Sequence, residues 1–214
     1  MSKVFIIGLP RTGTTSISVA FLNLGFKVAH TAFTKQTFAL ADVITDCPCF
    51  SDYKQLDKLF PGSQFIYLSR DLSAWLPSVQ RLLQKMLPNL TIKTGQFSPV
   101  LKRSFDQTFQ LSHPDLLTDQ HLTTCYQKHR TDVMNYFSGK SCFLSIDISK
   151  QNSYQMLCDF LKIPIDEKNS FANVSSFPHV NKGTQVAHWK AVKHCNKVSS
   201  FSAGKDHRQF FDYN

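Results

Sequence analysis

Short runs rich in apolar residues recur at Val4–Ile7, Phe26–Ala29, Asp42–Thr45, Gln64–Leu68 and Cys142–Ile146, each bounded by polar or turn residues. Runs of this length and kind predict buried strands. Between them the apolar spacing is helical: Thr14–Leu24, with Gly25 at a C-cap place, Phe33–Leu40, Tyr53–Phe60 before Pro61 and Gly62, Leu72–Met86, and Tyr154–Leu161. A long amphipathic helix is expected at Thr118–Phe137. Strands alternating with helices at these lengths predict an α/β fold. The expected form is three-layer αβα, with a central, mostly parallel sheet of about five strands and helices on both faces.

Two segments break the pattern. Between Leu87 and Asp119, Pro88, Gly95, Pro99 and Pro114 interrupt the periodicity, so 87–119 reads as a variable insertion beside a substrate site. Its Phe97, Phe105 and Phe109 are candidates to line an apolar pocket. Residues 176–214 form a polar, basic C-terminal segment carrying Lys182, Lys190, Lys193, Lys197, Lys205 and Arg208. Val186, Trp189 and Val192 alternate with these charges and predict a packed amphipathic helix. Pro77 falls inside the expected helix Leu72–Met86, where it removes one backbone donor and predicts a kink.

Composition narrows the class. A chain of 214 residues with 42% hydrophobic content can bury one sizeable core, so residues 1–214 are expected to form a single domain. The net charge of +9 favours an anionic ligand or partner without naming it. The N-terminus has no basic leader with an apolar run behind it, and no stretch approaches the roughly 20 apolar residues that span a bilayer. A cytoplasmic protein is expected, and its cysteines are expected to be free thiols.

Chemistry concentrates in "VFIIGLPRTGTTSIS". Gly8 to Thr15 keeps the two glycines of the nucleotide-binding pattern G-x4-G-K-[ST], between a strand and a helix, but threonine occupies the lysine position. The physics of the loop survives that change. Gly13 permits a tight turn, successive N–H groups form an anion nest, and the next helix points its positive end at the ligand. Arg11 supplies a cation from elsewhere in the loop.

"PRTGTTS", Pro10, Arg11, Thr12, Gly13, Thr14, Thr15 and Ser16, resembles the 5'-phosphosulfate loop of sulfotransferases that use 3'-phosphoadenosine 5'-phosphosulfate. In that superfamily the 3'-phosphate is held by an arginine at the end of a strand and a serine about two helical turns later. "YLSRDLSAWLPS" places Arg70 and Ser78 in those positions. An arginine fork suits a phosphate bidentately, and Asp71 suits a helix cap. Lys182 with Gly183 resembles the basic closure that many members place near the C-terminus.

The resemblance implies a P-loop-type fold and in-line transfer of a sulfuryl group to a hydroxyl or amine of a small-molecule or glycan acceptor, leaving adenosine 3',5'-bisphosphate. It implies no metal, with Arg11 and the loop supplying positive charge to the transferred group. Cytosolic relatives place a basic histidine after the third strand, where this chain has "VITDCP", so Asp46 is the first candidate for the base. His30, closing the second strand, is the runner-up.

Other constellations are weaker. His188, His194 and Cys195 match no structural zinc spacing, so no metal site is expected. The basic tail lacks an RNA-module signature, so no specific nucleic-acid partner is expected. Two alternatives stay open. One is a P-loop kinase, with Asp147 at the end of "CFLSID" as a metal ligand, and the other a non-catalytic nucleotide-binding module. The acceptor and the oligomeric state have no readable signal.

Overall fold

The alternation along the chain folds into a sheet of five strands in the order β2-β3-β1-β4-β5. A computed structural model describes residues 2–91, 93–164, 177 and 189–204. The strands are β1 (Val4–Ile6), β2 (Val28–Ala29), β3 (Val43–Thr45), β4 (Gln64–Leu68) and β5 (Phe143–Ile146). Every neighbouring pair is parallel, with Val4 opposite both Val43 and Gln64. The helices are α1 (Thr14–Asn23), α2 (Lys35–Leu40), α3 (Cys49–Leu59), α4 (Leu72–Leu90), α5 (Pro99–Phe109), α6 (Asp119–Tyr136) and α7 (Ser153–Leu161). The expected three-layer α/β fold is therefore present.

Side chains alternate across each strand, so each strand feeds two cores. Phe5, Ile7, Phe65 and Tyr67 pack with Phe38 of α2, Tyr53 of α3 and Val133 of α6. Val4, Ile6, Ile66 and Leu68 face the other way, against Ile17 and Phe21 of α1 and Leu157 of α7. A third cluster lies beyond the C-terminal edge of the sheet, where Trp75, Val79 and Leu83 of α4 meet Phe105 and Phe109 of α5 and Leu122 of α6.

Several expectations are corrected. The segment 87–119 is not an irregular insertion throughout, because α4 continues to Leu90 and Pro99–Phe109 form α5. Pro99 occupies the first helical position, where its missing N–H costs nothing, so it starts a helix there rather than ending one. Phe105 and Phe109 are buried core residues, packed against α4 and α6. Helix α3 starts at Cys49, a full turn before the expected Tyr53. Helix α4 passes through both Pro77 and Pro88, capped at its start by Asp71, whose side chain accepts from the N–H groups of Ser73 and Ala74.

The described C-terminal residues also differ from the expected amphipathic helix. Trp189–Ala191 make one 3-10 turn, and the chain then runs as a strap along β2. Val28 N–H donates to the Asn196 carbonyl at 2.9 Å, and Val198 N–H donates to the Val28 carbonyl at 2.8 Å. Ser199 and Ser200 continue the strap, their carbonyls accepting from the Thr37 hydroxyl at 2.8 Å and Phe33 N–H at 3.0 Å. The strap thereby covers the sheet edge that β2 would otherwise leave unpaired. No helix among the described residues is long and apolar enough to cross a membrane. All six cysteines are free.

Candidate functional site

Strand β1 lies between β3 and β4, so its C-terminal end opens beside theirs, at the edge where parallel sheets build their sites. The loop after β1 is shaped by sterics at both glycines. A Cβ on Gly8 would stand 2.7 Å from Leu68 Cβ and 2.8 Å from the Leu68 carbonyl oxygen, so only glycine lets the chain pass that close to β4. Gly13 has φ of +108°, which favours glycine, and a Cβ there would run into Ile148 Cδ1. Thr12 holds the turn from inside, its hydroxyl donating to the Leu9 carbonyl at 2.7 Å. Gly13 is the N-cap of α1 and provides no side-chain cap, so the first N–H groups of the helix are available to an anion. Ser16 is buried in the first turn of α1.

Helix α4 is bonded onto this loop. Trp75 Nε1 donates to the Pro10 carbonyl at 2.9 Å, and Arg70 Nη1 donates to the Arg11 carbonyl at 2.6 Å. Arg11, at φ of 73°, in turn donates from Nε to Ser78 Oγ at 2.8 Å. Arg11, Arg70 and Ser78, predicted from two separate stretches, thus occupy one cluster. Pro77 does not withdraw Ser78, which stays buried and faces the loop. Burial, then the charges of Arg70 and Arg81, hold the Arg11 guanidinium below its usual range, with Asp46 opposing.

Tyr126 of α6 fixes the backbone of Arg70. Its hydroxyl accepts from Arg70 N–H at 3.0 Å and donates to the Arg70 carbonyl at 2.8 Å. Sequence reasoning missed Tyr126, Trp75 and Arg81. Trp75 lies inside the stretch that predicted Ser78, and Arg81 is one helical turn beyond it; Tyr126 is placed by tertiary packing and has no local signal.

The two candidate bases meet. Asp46, at φ of 60° just after β3, has Oδ2 3.7 Å from His30 Nδ1, and Thr14 Oγ1 donates to the same oxygen at 3.4 Å. The other imidazole nitrogen, His30 Nε2, is 3.0 Å from Thr15 Oγ1. With Asp46 ionised, the proton of a neutral His30 belongs on Nδ1, and Nε2 accepts from Thr15. Burial pushes the Asp46 carboxyl up, opposed by His30, Thr14, the Cys47 N–H and Arg11. Burial pushes the imidazole of His30 down, opposed chiefly by Asp46.

Lys182 and Gly183 lie outside the described residues, as does His188. His194 and Cys195 are exposed on the strap. Among the described residues, no group of three or more His, Cys, Asp or Glu is placed to hold a metal ion.

A family model described as "Sulfotransferase domain" matches residues 3–36 and 31–186. The chain belongs to the sulfotransferase domain family. For a sulfotransferase-family protein the general chemistry is sulfuryl transfer, and the chain is a transferase. The matched residues include the loop, both candidate bases, Arg70 and Ser78, and they stop short of Trp189. No curated protein matches this sulfotransferase-family chain significantly.

Proposed function

We propose that this protein transfers a sulfuryl group from 3'-phosphoadenosine 5'-phosphosulfate to a hydroxyl or amine of a small-molecule or glycan acceptor. The observation that carries the proposal is the convergence of Arg70 and Ser78 on Arg11 of the loop. Two arginines, hydroxyls and a helix N-terminus make a donor set of cations and hydrogen-bond donors, which fits a ligand with two anionic groups. When bound, the donor supplies an activated sulfuryl group and a stable bisphosphate leaving group.

Each group of residues has its own task. Loop amides from Gly13 to Ser16 and the Thr14 and Thr15 hydroxyls hold the 5'-phosphosulfate, while Thr12, whose N–H donates to the Leu9 carbonyl, shapes the loop and Arg11 offsets charge that develops there. Arg70 and Ser78 hold the 3'-phosphate, to which the family resemblance adds Lys182 and Gly183. His30 and Asp46 act as one unit on the acceptor proton. Nε2 of His30 takes it, and the Asp46 carboxylate keeps Nδ1 protonated and stabilises the imidazolium. That order reverses the ranking from sequence, because Asp46 Oδ2 already faces His30 and Thr14. Thr15 must leave Nε2 for this to happen, and the phosphosulfate competes for the same hydroxyl.

The proposal is tested by thermal unfolding with adenosine 3',5'-bisphosphate, ATP–Mg and GTP–Mg in parallel. A ligand at 100 times its dissociation constant stabilises by about 2.7 kcal/mol. A shift with the bisphosphate, and then turnover on an acceptor panel, is expected. A shift with ATP–Mg alone would replace the proposal with a kinase, and bisphosphate binding without turnover would leave a nucleotide-binding module.

A further inference from the structure

The described C-terminal strap does more than cover an edge. Trp189, at its start, packs its ring on the His30 imidazole, with centroids 5.3 Å apart and planes inclined at 42°. Lys197 pins that tryptophan from within the strap. Its ammonium lies 4.7 Å from the Trp189 ring centroid and donates to the Trp189 carbonyl at 2.6 Å and the Val192 carbonyl at 2.8 Å. The strap is in turn fixed to β2, which ends one residue before His30, through Val28, and to the residue after His30, where the Thr31 and Ser200 hydroxyls are 2.6 Å apart.

His30 is therefore enclosed from three directions. Thr15 of α1 meets Nε2, Asp46 after β3 faces Nδ1, and Trp189 of the strap covers the ring. We infer that Trp189 is a positioning residue of the active site, which fixes the ring plane of His30 and excludes water from it. The inference rests on His30 being the proton acceptor. Without the indole the imidazole loses the strap ring packed on it, so it would gain solvent and torsional freedom.

The groups that set the protonation of His30 are Asp46, which favours the imidazolium, Lys197, which opposes it, and Arg11, which acts through Asp46. Burial outweighs Asp46 in the intact protein. Uncovering the ring weakens the burial contribution and leaves Asp46 in place, so the imidazole should become easier to protonate. A positioning role also predicts that kcat falls while the donor, held by Arg11, Arg70 and Ser78, binds as before.

The experiment is an NMR titration of the His30 ring in the full chain, for the wild type, Trp189→Phe, Trp189→Ala and Lys197→Met. Trp189→Ala should move the His30 midpoint upward by about one pH unit. Trp189→Phe should keep most of the wild-type value, because an aromatic ring still covers the imidazole. Lys197→Met guards against a folding failure of the alanine variant, and it should also raise the midpoint, through loss of a nearby cation and release of the tryptophan. Bisphosphate affinity, measured by calorimetry on the same variants, should stay within about twofold of wild type.

An unchanged His30 midpoint in Trp189→Ala and Lys197→Met would overturn the inference. So would equal losses of bisphosphate affinity and turnover, which would make Trp189 part of the donor site. Failure of the functional proposal reads differently: the midpoint moves as expected, but the wild type shows no turnover on any acceptor.

Discussion

Arg11 and Ser78, 67 positions apart, are joined by a hydrogen bond of 2.8 Å from Nε to Oγ. That bond unites a loop after β1 with a helix after β4. It also explains why α4 tolerates Pro77. The helix is held on the loop by Trp75 and Arg70 on the residues before the proline, so its direction is set before the missing donor is reached.

The first prediction concerns Arg70. Arg70→Ala removes a charged donor, and charge-assisted bonds contribute about 1.5–3 kcal/mol each, so bisphosphate affinity should fall about 10- to 100-fold. Adenosine 5'-phosphosulfate, which lacks the 3'-phosphate, should bind nearly as before. Calorimetric titration of both ligands decides the matter, since equal losses would show that Arg70 serves the loop through the Arg11 carbonyl and not the 3'-phosphate.

Asp46 should cost the fold stability and supply turnover. Its carboxyl is pushed up by burial, so the charged form is disfavoured in the folded state. An acid with a raised folded value contributes stability below its unfolded value, 3.8, and that contribution is lost as pH rises through the folded value. At neutral pH the charge is therefore a burden, and Asp46→Asn should raise Tm by roughly 2–4 °C, equivalent to about 1 kcal/mol. Asparagine also tolerates φ of 60°. The gain should vanish below about pH 4, while turnover is lost at every pH with bisphosphate affinity retained. Scanning calorimetry across pH measures the first part, and a variant with full turnover would remove Asp46 from the mechanism.

Gly8→Ala and Gly13→Ala separate two kinds of constraint. At Gly13 the added methyl meets the end of the Ile148 side chain, which can move, so the cost is mainly the left-handed backbone, about 1–2 kcal/mol. At Gly8 it meets the Leu68 carbonyl oxygen and Cβ of β4, which cannot move without parting β1 from its neighbour. Gly8→Ala should therefore destabilise by more than Gly13→Ala, and Ile148→Ala should relieve little of either cost, because at Gly13 the backbone conformation dominates. Urea unfolding of the set measures the order.

The strands and most helices were legible because their apolar runs and helical spacing are local. The loop was legible for the same reason, since glycines, arginine and threonines are contiguous at a strand-to-helix junction. Arg70 and Ser78 needed a second motif, but their meeting with Arg11 came from placing β1 beside β4. Helix α5 was hidden by Pro99, because a proline is equally at home just past the end of a helix and in the first turn of the next. Tyr126 was not legible at all, and Trp189 was legible only as a packed apolar position of the basic segment. Each acts through contact with a residue distant in sequence, Arg70 and His30, and nothing local distinguishes them from other aromatic core residues.

The last prediction is a pH effect from a buried histidine that the proposed mechanism does not use. His129 of α6 is buried against Tyr53 and Tyr67, with Nε2 2.7 Å from the Phe50 carbonyl and Nδ1 without a hydrogen-bond partner among the described residues. The neutral ring donates from Nε2, and a second proton on Nδ1 would have no acceptor. Burial accordingly pushes its value from 6.5 down to about 4. Above 6.5 neither the folded nor the unfolded chain holds that proton, and the stability is fully present. As pH falls from 6.5 towards 4, only the unfolded chain takes up the proton, so stability declines by about 1.4 kcal/mol per pH unit, roughly 3 kcal/mol in all. His30 is shifted the same way and steepens the loss. Urea unfolding of wild type and His129→Gln between pH 4 and pH 7.5 should show a shallower slope in the variant. Parallel slopes would mean that His129 gains a partner for Nδ1 when it is protonated.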